Sequence, residues 1–361
     1  MTLDPVFRSP RAVRLIEDLG LMERLSVPGS IHAEATEAVH GMLPDIIGEA
    51  WLDTDASPAR DDVEFLQRNF FLILFLSIFE GLGCRRDRVD LYARLDLCIK
   101  GIITAGDNLF DDQNKQLLPL RFDDGGTRFP SILQMLCFTR LSERVLSDAV
   151  AASTLSEAQA AQFQRSFLTR LAEIGALEGS EEDGVAEILP VEPMINKVHR
   201  VRGGALFSLA FIAPDLLEDE SLKPVLAVAG EAVIKLGVAF QIVDDITDFE
   251  FDLTRGSHNI LTAYAYHSDV PEERTRIRQM LKAETTGGAT LEEVFPHATQ
   301  RALLRAREEA RAAFQGLVGA GFWMAPDQAD LFVDAIVGIE GVDRIEQISD
   351  NVAESSRQAT A

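Results

Sequence analysis

Positive charge is scarce in this sequence: 34 lysines and arginines stand against 58 aspartates and glutamates, a formal net charge of -24 over 361 residues. So acidic a surface repels phosphate backbones, which argues against nucleic acid as a partner. Cysteine is scarce too. Cys84, Cys98 and Cys137 are widely spaced and make neither a disulfide framework nor a zinc spacing, which fits a reducing cytoplasm. Long apolar runs are missing. The longest, "FFLILFLSIF" at 70–79, is about half of what spans a bilayer. It reads as the middle of a buried helix, and no integral membrane segment is expected. The opening stretch "MTLDPVFRSPRAVRLIEDLG" lacks the apolar core of a signal peptide. Alternating strand pattern is absent as well.

What is present is helical periodicity. Helices are expected over 10–25, 31–50, 61–82, 87–112, 130–151, 156–178, 192–213, 219–250, 258–267, 271–283, 297–319 and 326–338. Three stretches rich in Gly, Pro and acidic residues read as loops, at 114–130, 178–193 and 284–296. The fold class is all-α: a single-domain bundle of roughly ten to twelve helices. Residues 1–60 are expected to form a helical extension packed on a main domain at 61–355.

Carboxylates cluster where the apolar helices end. In "AFQIVDDITDFEFD", Asp244 and Asp248 are one helical turn apart, with Gln241 a turn before and Asp245 beside them. In "CIKGIITAGDNLFDDQNK", Asp107 and Asp111 share a face, Asp112 follows, and Asn108 points about 100° away. A solvated acidic face is the plainer account of either stripe. Yet acidic residues are unfavourable at a helix C-terminus, and carboxylates beside a core need neutralising. Oxygen-only donors suit Mg²⁺. Between the two lies "INKVHRVRGGALF", with Lys197, Arg200 and Arg202 in a chain short of cations, then Gly203-Gly204. The glycines would weaken a helix and free backbone groups to face a ligand. Ion pairing with the many acids competes with that reading. Two acidic faces and one basic patch together suggest a diphosphate held through metal ions.

At these residues the sequence resembles the trans-polyprenyl diphosphate synthases and, more broadly, the class I isoprenoid synthase superfamily. The family's FQxxDDxxD is intact as Phe240 to Asp248; its DDxxD reads "DNLFD", with Asn108 at the second position. "RGGALF" is similar to the family's KTGxLF, with Arg202 for the lysine, and "DLTRGS" resembles DLxxGK, with Ser257 for the lysine. The resemblance implies an isoprenoid synthase fold around an apolar cavity. Asp107, Asp111, Asp112, Asp244, Asp245 and Asp248 would hold Mg²⁺, with three ions in the family. Arg202, Arg200, Lys197, Gln241, Phe240, His258 and Asn259 would bind an allylic prenyl diphosphate. Asp107, Asp111, Asp244 and Arg202 would carry catalysis, and a homodimer is compatible with the reading.

Chain elongators of the family also hold isopentenyl diphosphate, through GKxxR near the N-terminus and Arg-Arg-Gly after the first Asp motif. Neither is present; Lys115 and Arg121 are the nearby cations. The expectation therefore leans to a single-substrate terpene synthase, with a chain-elongating prenyltransferase as the alternative. A non-catalytic partner subunit of a prenyl synthase is a reading of another class. A helical metal-carboxylate oxidase lacks its Glu-x-x-His pattern, and His199 and His258 are read as isolated structural histidines.

Overall fold

The computed structural model describes residues 10–53, 62–110, 115–122, 128–283 and 291–338. Among them every regular element is helical, and the one β feature is an isolated bridge between Leu52 and Leu120. Two compact units form. One contains Gly20–Phe167 with Leu209–Ala227; the other contains Leu168–Ser208, the chain from Val228 on and residues just before Gly20.

In the first unit, the helix Asp62–Gly81 is apolar on nearly all sides, and Phe70, Ile73, Leu74, Ile78 and Phe79 are buried. Each such side chain contributes roughly 1.5–3 kcal/mol by leaving water. Phe79 meets Tyr92 and Phe211 edge-on, at 5.7 and 5.1 Å between ring centroids. The helices Arg86–Phe110 and Arg128–Ala151 pack closely because residue 101 is Gly: a Cβ there would lie 2.2 Å from the Phe138 ring. One buried carboxylate, Glu218, is satisfied by Tyr92 Oη at 2.8 Å and Arg88 Nη1 at 2.9 Å.

The expected break near residues 26–30 does not occur. Leu21–His40 is one helix that runs through Pro28 and Gly29. Proline there removes a single helical hydrogen bond. Pro28 is itself buried, as are Leu25, Ile31 and Ala35, so packing against the Asp62–Gly81 and Arg86–Phe110 helices outweighs propensity.

The second unit is built on Pro296–Gly319, Pro326–Val337, Ile260–Tyr266 and most of Lys223–Thr247. Its centre holds Ile242, Ile260, Leu261, Phe295 and Ala302, all at 0% exposure. Lys223–Thr247 is long and apolar enough to cross a membrane, but over half of that window is buried within the protein, as in a core helix. The helix expected over 219–250 is interrupted at Asp248, after which Phe249–Arg255 begins.

The basic segment Ile195–Ala205 is a π-helix, a form that concentrates at functional sites. Its glycines do something other than face a ligand. A Cβ on Gly203 would stand 2.3 Å from the Gly237 carbonyl oxygen, and one on Gly204 would stand 2.9 Å from Ile234. Gly203, Gly204 and Gly237 let two helical backbones touch.

Candidate functional site

The second Asp motif occupies the last turn of Lys223–Thr247 and the first residue beyond it. Its three aspartates have different surroundings. Asp244 is half-buried and Asp248 is exposed. They share a face, and Asp248 N–H donates to the Asp244 carbonyl at 2.8 Å. Asp245, one step round the helix, is 2% exposed.

Asp245 accepts from three donors. Its Oδ2 meets His199 Nε2 at 3.0 Å and the Ile260 N–H at 2.6 Å; its Oδ1 accepts from Gln241 Nε2 at 3.1 Å. Burial works against the charge, but His199, Arg202 and Gln241 hold the carboxyl below its usual range. Asp245 is thus tied into the frame of the site by three protein donors, unlike Asp244 and Asp248, which lie nearer the surface. Gln241 is likewise committed, to Asp245 and at 3.4 Å to Asp244. Asn259 is 1% exposed and caps Ile260–Tyr266, accepting from the Leu261 and Thr262 N–H groups. Its amide donates to the Asp245 carbonyl at 2.6 Å and to Asp252 Oδ2 at 2.8 Å. The polar groups of Gln241 and Asn259 are both bonded within the protein.

Arg202 is also committed. Its Nε donates to Glu178 at 2.5 Å and its Nη2 to Glu181 at 2.8 Å, with its side chain 15% exposed. Glu181, 2% exposed, turns its other oxygen to the His258 N–H at 2.9 Å. The guanidinium fork expected at a diphosphate is filled by two carboxylates of its own chain. No spacing in the sequence points to Glu178 or Glu181, which lie in and next to an expected loop. His258 contributes backbone here, and burial lowers the pKa of its ring. Arg200 pairs with Glu231 at 2.9 Å and borders an open cleft of about 390 Å³ with Lys235, Arg305 and Glu308, which none of the aspartates lines. Lys197 is exposed, and the half-buried Phe240 lies against Phe207 at 5.6 Å between ring centroids.

The first Asp motif ends Arg86–Phe110 in the other unit. Asp107 is exposed; Asp111 and Asp112 lie outside the described residues. Asn108 is 2% exposed. Its Nδ2 donates to the Lys115 carbonyl at 3.0 Å, and its Oδ1 accepts from the Lys115 N–H at 2.9 Å. Gln134 completes the clamp, donating to the same carbonyl and accepting from the Leu117 and Leu118 N–H groups. Asn108 points away from the exposed Asp107, as expected from the sequence, and its side chain is a buried strut.

The donor chemistry suits a divalent cation at the second motif. Asp252 is pushed up to about 8 by burial and by the neighbouring Asp245 and Asp244 charges. That surplus of negative charge is what a cation on Asp244 and Asp248 would relieve. Among the described residues no group of three or more His, Cys, Asp or Glu side chains gathers at one point.

No protein-family model and no curated protein matches the sequence. Solved structures do. A polyprenyl synthase from Caulobacter crescentus, complexed with calcium and isoprenyl diphosphate, superposes with a TM-score of 0.61 at 15% identity, over 88% of this chain and 97% of that one. A decaprenyl diphosphate synthase from Rhodobacter capsulatus gives 0.59 at 17%, over 87% and 99%. A geranylgeranyl pyrophosphate synthetase from Pyrococcus horikoshii gives 0.56 at 16%, over 89% and 98%. The chain therefore has the all-α fold of the trans-polyprenyl diphosphate synthases, along nearly their full length.

Proposed function

We propose that this chain is a class I prenyl diphosphate enzyme, and specifically a chain-elongating prenyltransferase. The observation that supports elongation is the company it keeps: full-length likeness to polyprenyl, decaprenyl and geranylgeranyl diphosphate synthases. That outweighs the lean toward a single-substrate terpene synthase, which rests on missing sequence motifs alone. Those absences keep the terpene synthase as the second reading.

Asp107, Asp244 and Asp248, with Asp111 and Asp112, are the oxygen donors for Mg²⁺ in this proposal. Bound Mg²⁺ supplies neutralisation of the substrate diphosphate, which eases its departure from the allylic carbon. The chain's own task is to aim those carboxylates and to keep water from the reacting carbon. Arg202 supports the site from behind, as the ion pair that fixes Glu181 and, through it, the backbone at His258. A cytoplasmic location fits the three buried free thiols. A homodimer, and residues 1–60 as an extension on a 61–355 catalytic domain, belong to the same proposal.

The deciding experiment is incubation with Mg²⁺ and allylic prenyl diphosphates of increasing length, with and without labelled isopentenyl diphosphate. Label in longer prenyl products establishes elongation. Hydrocarbon formed without the second substrate favours the terpene synthase. Full activity in excess chelator excludes both.

A further inference from the structure

The buried pair His199–Asp245 lies one residue from Asp244 and calls for an explanation beyond packing. His199 is at 0% exposure, its Nε2 is 3.0 Å from Asp245 Oδ2, and its Nδ1 is buried with no hydrogen-bond partner. A proton on Nδ1 would be an orphaned donor, so the ring places its proton on Nε2 and donates it to the carboxylate. Gln241 and the Ile260 N–H also donate to Asp245. The result is a three-way tie. It joins the last turn of Lys223–Thr247 to the π-helical segment through His199 and to the start of Ile260–Tyr266 through Ile260.

A helix end is free to fray or rotate unless something holds it. Here the helix is interrupted at Asp248 before Phe249–Arg255 begins, so side-chain ties on the turn between Asp244 and Asp248 add to the backbone bonds that set their directions. Asp245 sits on that turn, and His199 is its one side-chain donor from outside the helix among the described residues. We propose that His199 is a positioning residue that aims the Asp244 and Asp248 carboxylates by holding Asp245. This rests on the reading of Asp244 and Asp248 as metal donors. It adds that metal affinity is set in part from the π-helical segment, by a residue that touches neither metal nor substrate.

Partners that orient ligands change metal affinity about 10–100-fold when removed. The probe is Mn²⁺, followed by its paramagnetic resonance on the full-length chain and by the half-saturating Mn²⁺ concentration for turnover. His199→Phe keeps a ring and loses the donor, and should raise half-saturating Mn²⁺ about tenfold or more. His199→Gln can present an N–H near the Nε2 position and should stay within about threefold of wild type. His199→Asn is too short and should follow the Phe variant; the Gln–Asn pair decides the matter if the Phe variant does not fold. Glu273→Gln alters a buried carboxylate at the Pro296–Gly319 helix start, away from the aspartates, and serves as a stability control with unchanged Mn²⁺ dependence. Unchanged Mn²⁺ affinity in His199→Phe, or equal losses in the Gln and Asn variants, would overturn the positioning role and leave the proposed reaction standing. Full wild-type turnover in chelator would overturn both.

Discussion

The two Asp motifs place different residues at the same position, and each choice matches the atoms around it. Second in the motif of the first unit is Asn108; second in the motif of the other unit is Asp245. Both side chains are 2% exposed and hydrogen-bonded. Asn108 faces one backbone residue, Lys115, and must both donate to its carbonyl and accept from its N–H. Only an amide does both; an ionised carboxylate only accepts. Asp245 faces donors alone, from His199, Gln241 and Ile260, and there a carboxylate is the better acceptor. The departure from the family's paired aspartates at residue 108 is thus a fit to local backbone.

Under the proposed function, outward-facing aspartates carry the chemistry and inward-facing residues the structure, and the largest expected effect tests that division. Asp244→Ala or Asp107→Ala should each lower turnover by ~10²-fold or more with little change in melting temperature. A loss of folding cooperativity equal to that of an inward variant would break the division.

Next in size is the exchange of the inward pair. Asn108→Asp restores the family's pattern, yet it sets a buried carboxylate against the Lys115 carbonyl. It should cost about 1–3 kcal/mol of unfolding free energy, measured by urea titration. Asp245→Asn turns an amide N–H toward donors and should cost a similar amount. A more stable Asn108→Asp variant would refute the account of that clamp.

Gly203→Ala tests whether the glycines serve packing or a ligand. The added methyl would meet the Gly237 carbonyl, so a loss of about 1–3 kcal/mol in stability is expected, with turnover per folded molecule largely kept. Unaltered stability with lost substrate binding would favour a ligand-facing role.

The smallest effect extends the contrast to another buried histidine. His32, in the first unit, is 1% exposed and faces Asn69 and Lys100, with no carboxylate acceptor among the described residues such as His199 has. Burial, then the Lys100 charge, lowers its pKa from 6.5 to about 4. The unfolded chain takes up the proton first, so stability is full above pH 6.5 and is lost as the pH falls toward 4. By linkage the loss is about 1.4 kcal/mol at pH 5.5. Urea midpoints at pH 7 and 5.5 check this, and His32→Gln should remove that part of the acid sensitivity.

The helices were largely legible from periodicity, and so was the shared face of Asp244 and Asp248, which a four-residue spacing dictates. The helix through Pro28 was not, because a buried contact with two other helices overrides a local breaker signal. The role of Asn108 was half legible: helix geometry gives its direction but not what waits there.

What the sequence by itself determined are the short-range relations: which segments are helical and which carboxylates lie on one side. These follow from the fixed 3.6-residue turn. Tertiary structure alone decided the partnerships. Arg202 meets Glu178 and Glu181, Gly203 meets Gly237, and His199 meets Asp245, 46 residues away. No period links such pairs. Burial forces each desolvated polar atom to find a partner, and which partner arrives depends on which helices the apolar core brings together.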